Sequence, residues 1–449
     1  MPARRGMQYR LPAATIALGA AYLALTAMKS PLFGSKATGW VYPYLSPLDL
    51  NTVFAGLLCG LCAAWLAHLF ARRGNTGGIV TPSIFFLFSS GACWLLASLR
   101  LFSTAEIFSS ANANSFQTAA RALSFKGILH FYPHFQAFFP GDRHVFTNMA
   151  GKTFFTKIML AAPDWLAGSG LLPLLIASAG VFPLYYAAKK LYSAKSAVFA
   201  CALYSVMPAL IYFCPLLNCV TAFFFLLSLC LLAYAACGRS KTIAAFYGLS
   251  LYWIMFFDPV ALAPLGLLSL AIPFSCRTGL KEFFKLAAVC LLCFAGAHAA
   301  VYCGLGYNVF NNYAVIAAVN RAWLDQTRQL RMAWLFRNPA EAAAGMGVGI
   351  MFLFFAAQVS DLRQVLKTGL RNSAPQFAPG LALTGAWAVM AVMGVGGAEA
   401  VRVWLFSGAA AILFAAARLA ETPGALYAAI IVSALQAAFA ARMVGFVIP

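Results

Sequence analysis

Charged residues are scarce in this chain. Asp, Glu, Lys and Arg together make 9% of its 449 residues, against about 25% in a soluble domain. That shortage excludes an ordinary soluble globular fold. Carboxylates are scarcer still, 11 against 31 basic residues, so any acid–base chemistry must come from a short roster. There is no Gly-rich nucleotide loop, no Walker motif and no Cys/His metal ribbon, which leaves nothing to hold a nucleotide or a structural zinc. No low-complexity linker divides the chain, so residues 1–449 read as one membrane domain. No strong internal repeat is visible, and charges at mid-span are lacking too, both of which a transporter or flippase would lead one to expect. The formal charge is +20, yet no soluble basic domain exists to present it to nucleic acid.

What is present is apolar. Hydrophobic residues make 63% of the chain, with 40 Phe and 9 Trp suited to lipid contact and interfacial belts. A span needs about 20 apolar residues. About thirteen candidate runs lie near 11–29, 51–71, 82–101, 168–188, 196–213, 219–237, 242–257, 260–275, 285–302, 344–358, 378–395, 402–418 and 424–446. The start, MPARRGMQYR, resembles a signal peptide, but no small-residue cleavage site follows, so 11–29 reads as a first span. The fold expectation is therefore an all-α, polytopic transmembrane bundle. Short basic loops at 71–74, 189–195, 238–241, 276–285 and 361–371 fall on one side with the N-terminus, which makes that side cytoplasmic by the positive-inside rule. The expected location is a cell membrane, bacterial in type. Most of the 12 Cys lie inside apolar runs, where a thiol packs as a small hydrophobe. No disulfide framework follows from their spacing.

Two long non-spanning stretches remain, 102–167 and 303–343, both assigned to the outer face. Both are basic against the positive-inside trend. Arg121, Lys126, Arg143, Lys152 and Lys157 lie in the first; Arg321, Arg328, Arg331 and Arg337 lie in the second. Basic groups there suit a phosphate-bearing lipid head group, although loop solvation and phospholipid contact explain them as well. The segment VFTNMAGKTFFTKIMLAAPDW has a polar start, a Gly, and too few apolar residues before Pro163 to cross. It predicts an interfacial helix over 148–163, with Gly151 as a hinge and lysines reaching for head groups. SANANSFQTAARALSF, 110–125, is a second such helix, with Phe116, Ala119, Ala120 and Leu123 on one face and Gln117 and Arg121 on another.

The order of these parts resembles the GT-C superfamily of integral membrane glycosyltransferases, in particular the protein mannosyltransferase-like bacterial members. Residues 80–340 carry the core of the resemblance and 341–449 supply C-terminal spans. NSFQTAARALSFKGILHF resembles the family's first outer-loop segment, and TNMAGKTFFTKIMLAAP the one that follows it. KKLYSAKSAVFACALYSVMPALIYFCPLLN resembles a cytoplasmic turn and the next span. QLRMAWLFRNPAEAAAGMGVGI and AEAVRVWLF resemble later outer motifs. The resemblance implies transfer of a sugar from a polyprenyl-phosphate carrier to an extracytoplasmic glycan, lipid or protein acceptor, amid membrane lipids and without a nucleotide or other cofactor.

One departure matters. The family places an acid, the general base, shortly before the position of Phe116; this chain reads Ala111, Asn112, Ala113, Asn114. Some members carry Asp where Asn218 stands. Asn cannot take a proton from a hydroxyl. Asp142 is the replacement base that the sequence favours, with Glu106 second. Lys152, Lys157, Arg331, Arg337, Arg402, Glu399, Asn112 and Asn218 are the candidate substrate-binding residues. A divalent metal held by His130 and His134 with His144 or Asp142 is the lesser alternative to plain aromatic packing of that loop. If no carboxylate substitutes, the chain is instead an inactive relative that binds a lipid-linked glycan or a partner enzyme.

Overall fold

The computed structural model describes residues 2–30, 42–73, 78–326, 331–368, 370–395 and 399–449. Among these the regular structure is helical, apart from a single bridge between Tyr44 and Val444. Eight helices are long and apolar enough to cross a membrane: Arg10–Ala27, Leu50–Arg72, Val80–Ala97, Leu171–Leu191, Leu217–Gly238, Leu280–Leu305, Val348–Lys367 and Pro423–Met443. Four shorter apolar helices, Lys241–Phe257, Pro259–Ser275, Phe377–Val392 and Leu405–Leu419, accompany them. The chain is thus an all-α bundle with the composition of an integral membrane protein. The run expected at 196–213 is a broken rod, Ala194–Ser205 then Pro208–Phe213. Pro208 has no N–H for a continuous ladder. The run expected at 344–358 begins later, because Gly347 takes a left-handed φ of 106° that ends the Arg331–Met346 helix. The next helix, Val348–Thr368, then runs on past Gln358 and Asp361.

With no hydrophobic drive between helices in lipid, their association depends on close packing. The main core is centred on Ala194–Phe213, Leu405–Leu419 and Pro423–Met443, where Ala and Gly let backbones approach. The two ends of the bundle are distinct. At the basic end, Lys195 pairs with Glu421 at 3.3 Å and Arg418 with Asp361. A disulfide also ties Cys237 to Cys276 there, Cα to Cα 5.1 Å. The spacing of the cysteines had not suggested that bond. At the opposite end, here the loop end, Arg442 pairs with Asp49 at 3.1 Å and Arg100 donates to the carbonyls of Tyr212 and Cys214.

The stretch 102–167 folds at the loop end into short helices, among them Thr104–Ser109, Phe116–Ala122, Phe125–Phe131, Arg143–Thr147 and Ala150–Leu160. They build a second core with Tyr252, Phe256 and Phe257 at the end of one apolar helix and Tyr307 and Val309 after another. Polar bonds join the two long stretches. The Asn312 side-chain oxygen accepts from the Ala150 amide at 3.0 Å and the Tyr307 hydroxyl at 2.7 Å. Asn311 donates to the Tyr132 hydroxyl at 3.0 Å. The 110–125 segment is helical in two pieces, with Phe116, Ala119 and Ala120 buried as expected. Gln117 is buried too, and donates to the Phe108 carbonyl at 2.7 Å.

Candidate functional site at the loop end

Ala150–Leu160 is a helix of 11 residues, about 16 Å long at 1.5 Å per residue, so it cannot cross the hydrocarbon. Two expectations about it are corrected. Gly151 is no hinge: it lies inside the helix, and a Cβ there would stand 2.2 Å from the Phe256 carbonyl oxygen. Its missing side chain lets this helix seat on the end of Lys241–Phe257. Lys152 is not on a surface either. Its side chain is 4% exposed and its ammonium lies 2.8 Å from Asp258, itself 11% exposed. Asn148 accepts from the same ammonium at 2.9 Å, and the Thr221 hydroxyl donates to Asp258 at 2.9 Å. The Phe257 ring lies 6.0 Å from the ammonium.

Three chain segments thus converge on one ion pair. Asn148 and Lys152 come from the loop, Thr221 from the first turns of Leu217–Gly238, and Asp258 from the turn after Phe257. Asn218 is half-buried one helical turn before Thr221. Asp258, Thr221 and Asn148 were not among the expected site residues. Asp258 had a signal, an acid inside the apolar run FFDPVA; a buried ionisable group in a membrane protein marks function by default. Further along the same two helices lies an apolar groove of about 150 Å³, lined by Phe224, Leu227, Ser228, Ser250 and Trp253. Ser228 is seven residues past Thr221, about 10 Å of helix.

The other expected residues scatter. Glu106 is exposed and spends its carboxylate on a capping box with Ser103, accepting from both its amide and its hydroxyl at 2.7 Å. Those bonds hold its pKa below the usual 4.5. Asp142 is buried at the start of the Arg143–Thr147 helix and makes no side-chain cap bond. Asn114 donates to the Phe108 carbonyl at 3.0 Å; the side chain of Asn112 lies outside the described residues. Lys157 donates to the Ala120 carbonyl at 2.9 Å, with the Phe125 ring 5.7 Å away, and so ties two loop helices. Among the described residues it has no carboxylate partner. No group of three or more His, Cys, Asp or Glu comes together among the described residues, so His130, His134, His144 and Asp142 do not form the metal site that was the lesser alternative.

Arg337, Glu399 and Arg402 gather in a second polar cluster. Arg337 pairs with Glu341 at 2.6 Å and Arg402 with Glu399. Glu341 is buried, which raises its pKa, with Arg337 opposing. All four charges act on the buried Tyr42 hydroxyl, whose pKa burial raises most, then Glu399 and Glu341. Paired one to one, the cluster is formally neutral and is a poor host for the phosphate expected there. The side chain of Arg331 lies outside the described residues. The Pro208–Phe213 helix packs against Arg331–Met346 on one side and leads through Pro215 to Asn218 and Thr221 on the other.

No protein-family model matches the chain, and no curated protein sequence matches it. Among solved structures, it is similar to the Archaeoglobus fulgidus oligosaccharyltransferase in complex with zinc and sulfate. Identity is 12%, the TM-score is 0.41, and the match covers 78% of this chain and 53% of that one. The chain thus spans about half the length of that structure. The match is one of backbone course, and nothing about a substrate follows from it.

Proposed function

We propose that the chain is a membrane glycosyltransferase, taking a sugar from a polyprenyl-phosphate carrier and passing it to an acceptor hydroxyl at the loop end. The observation that carries the reading is the buried Lys152–Asp258 pair, with an apolar groove further along the same helices. Burying two charges is costly, and a hydrophobic pair of like volume often serves stability as well or better. A lipid phosphate needs a cation where hydrocarbon meets water, and its chain needs an apolar track beside it. The order of motifs in the sequence supports the same reading.

In the reaction, the acceptor oxygen attacks the anomeric carbon and the bond from that carbon to the phosphate oxygen breaks. The polyprenyl phosphate leaves with the bonding pair and one more negative charge. Lys152 stabilises that charge, since a cation aimed at developing charge in a dry site contributes most in the transition state. The acceptor proton passes to a carboxylate. Asp258 is placed for that role when the phosphate draws Lys152 away from it; Asp142 is the other buried acid of the loop. Asn218, one turn before Thr221, is a secondary contact to the carrier or the sugar.

A tritiated transfer assay with purified protein and a panel of polyprenyl-phosphate hexoses and pentoses tests this. Lys152→Ala should lower turnover strongly. Loss of the base, by Asp258→Asn or by Asp142→Asn, should lower it by about 10²-fold or more. Turnover that neither acid variant changes would overturn the assignment. A second reading has its own observation: Glu106 and Asn114 are both committed to local structure. An inactive relative would bind the carrier in this assay and transfer nothing.

A further inference from the structure

The Arg337–Glu341 cluster holds polar atoms that the protein leaves unmatched. Asn338 is 0% exposed, yet neither its side-chain nitrogen nor its oxygen has a hydrogen-bond partner. Nη2 of Arg337 has no partner either, and Oε2 of Glu341 has no close one, the other contacts of that carboxylate being Arg337 and the Ala400 backbone N–H. Buried polar groups are almost always satisfied, and each exception calls for an explanation. All three residues lie on one turn of the Arg331–Met346 helix, where Pro339 also denies the Leu335 carbonyl its intrahelical bond. Two unmatched donors stand beside two unmatched acceptors.

We infer that this cluster is a recognition site for a neutral polyhydroxylated ligand, namely the adjacent hydroxyls of a sugar ring. The reason lies in the donor and acceptor count. A hydroxyl both gives and accepts, so a pair of neighbouring hydroxyls can meet the Asn338 amide, the Arg337 nitrogen and the Glu341 oxygen together. A phosphate would use only the donors and would face Glu341 and Glu399. An amine would use only the acceptors and would face Arg337 and Arg402. The ion pairs within the cluster leave no net charge to favour either. Tyr42 adds a ring nearby, edge-on to Phe213 and tilted against Phe446. The inference gives the proposed transferase its sugar-recognition site and rests on that reading for the identity of the ligand.

The test is binding without any lipid donor, so it does not depend on turnover. Purified protein in detergent is titrated with methyl glycosides of several hexoses and pentoses, and separately with inorganic phosphate, while the thermal midpoint is followed. At least one glycoside should raise the midpoint of the wild type. Asn338→Leu should weaken that binding by about fivefold or more, the usual loss for a hydrogen bond to a buried group. Glu341→Gln keeps the shape and should weaken it in the same direction, which covers the case in which Asn338→Leu fails to fold. The unliganded midpoint of Asn338→Leu should rise, because an apolar side chain of like size removes two unmatched atoms. No glycoside effect in the wild type, or an effect that both variants keep, would overturn the inference. So would a phosphate effect that Asn338→Leu abolishes. Transfer without glycoside binding would sink this inference alone; glycoside binding through Asn338 without transfer would sink the transferase reading alone.

Discussion

Removing the Lys152 ammonium should be costly to the fold itself. In Lys152→Met the stem of the side chain is kept, and the charge is lost. Asp258, 11% exposed, is then left ionised with only the Thr221 hydroxyl, and the Asn148 oxygen loses its donor. Breaking a buried pair from one side typically costs about 3–5 kcal/mol, a large share of the 5–15 kcal/mol that holds a domain folded. Asp258→Asn should cost a similar amount, because it strands the lysine. The double variant Lys152→Met/Asp258→Asn removes both charges and should recover at least about 2 kcal/mol relative to the sum of the two, since residues in one network couple by 0.5–3 kcal/mol. Reversible unfolding in mixed micelles, read by tryptophan fluorescence, measures all four chains. A Lys152→Met cost below about 1 kcal/mol, or single effects that simply add to within about 0.5 kcal/mol, would refute the claim that the pair is buried and mutual.

Gly151→Ala should destabilise by about 1–3 kcal/mol, the cost of overpacking, because the new methyl would meet the Phe256 backbone, which cannot swing aside as a side chain can; an unchanged midpoint would count against the close approach. Asn312→Leu should leave the Ala150 amide and the Tyr307 hydroxyl without their acceptor, and hydrogen exchange in 143–160 and 307–320 should quicken, while the basic end stays protected. Glu106 carries a pKa below its usual 4.5 because Ser103 bonds its charged form. Its contribution is therefore complete above pH 4.5 and is lost as pH falls through the lower folded value. The stability difference between wild type and Glu106→Gln should stay constant above pH 4.5 and shrink below it; a difference that instead grew on acidification would contradict the capping box.

Much of the architecture was legible in the sequence because hydropathy over a span's length is a strong signal. The apolar runs lie mostly on helix, and of the two long stretches between them 102–167 forms short helices while 303–343 forms the longer Val309–Gln326 and Arg331–Met346. Breaks were harder to read. Met207–Pro208 and Gly347 interrupt runs that look continuous in hydropathy, and only local backbone demands reveal them. Glu106 carried a legible mark, Ser-Thr-Ala-Glu at 103–106, the pattern of a capping box; weighing it as a base overlooked this. Lys152 was singled out but placed at a surface, because its partner Asp258 lies far along the chain and no periodicity links the two. The same distance hid the Cys237–Cys276 bond and the meeting of Arg337 with Glu399 and Arg402 beside Tyr42.

The central claim is that the carrier's phosphate comes to Lys152. A photoactivatable polyprenyl-phosphate probe, crosslinked to the purified protein and mapped by mass spectrometry, tests it most directly. The account predicts label in 148–160 and in 217–228 or 250–258, reduced when unlabelled polyprenyl phosphate competes and reduced again in Lys152→Ala. Label confined to the basic-end loops at 189–195, 238–241 and 276–285 would contradict it.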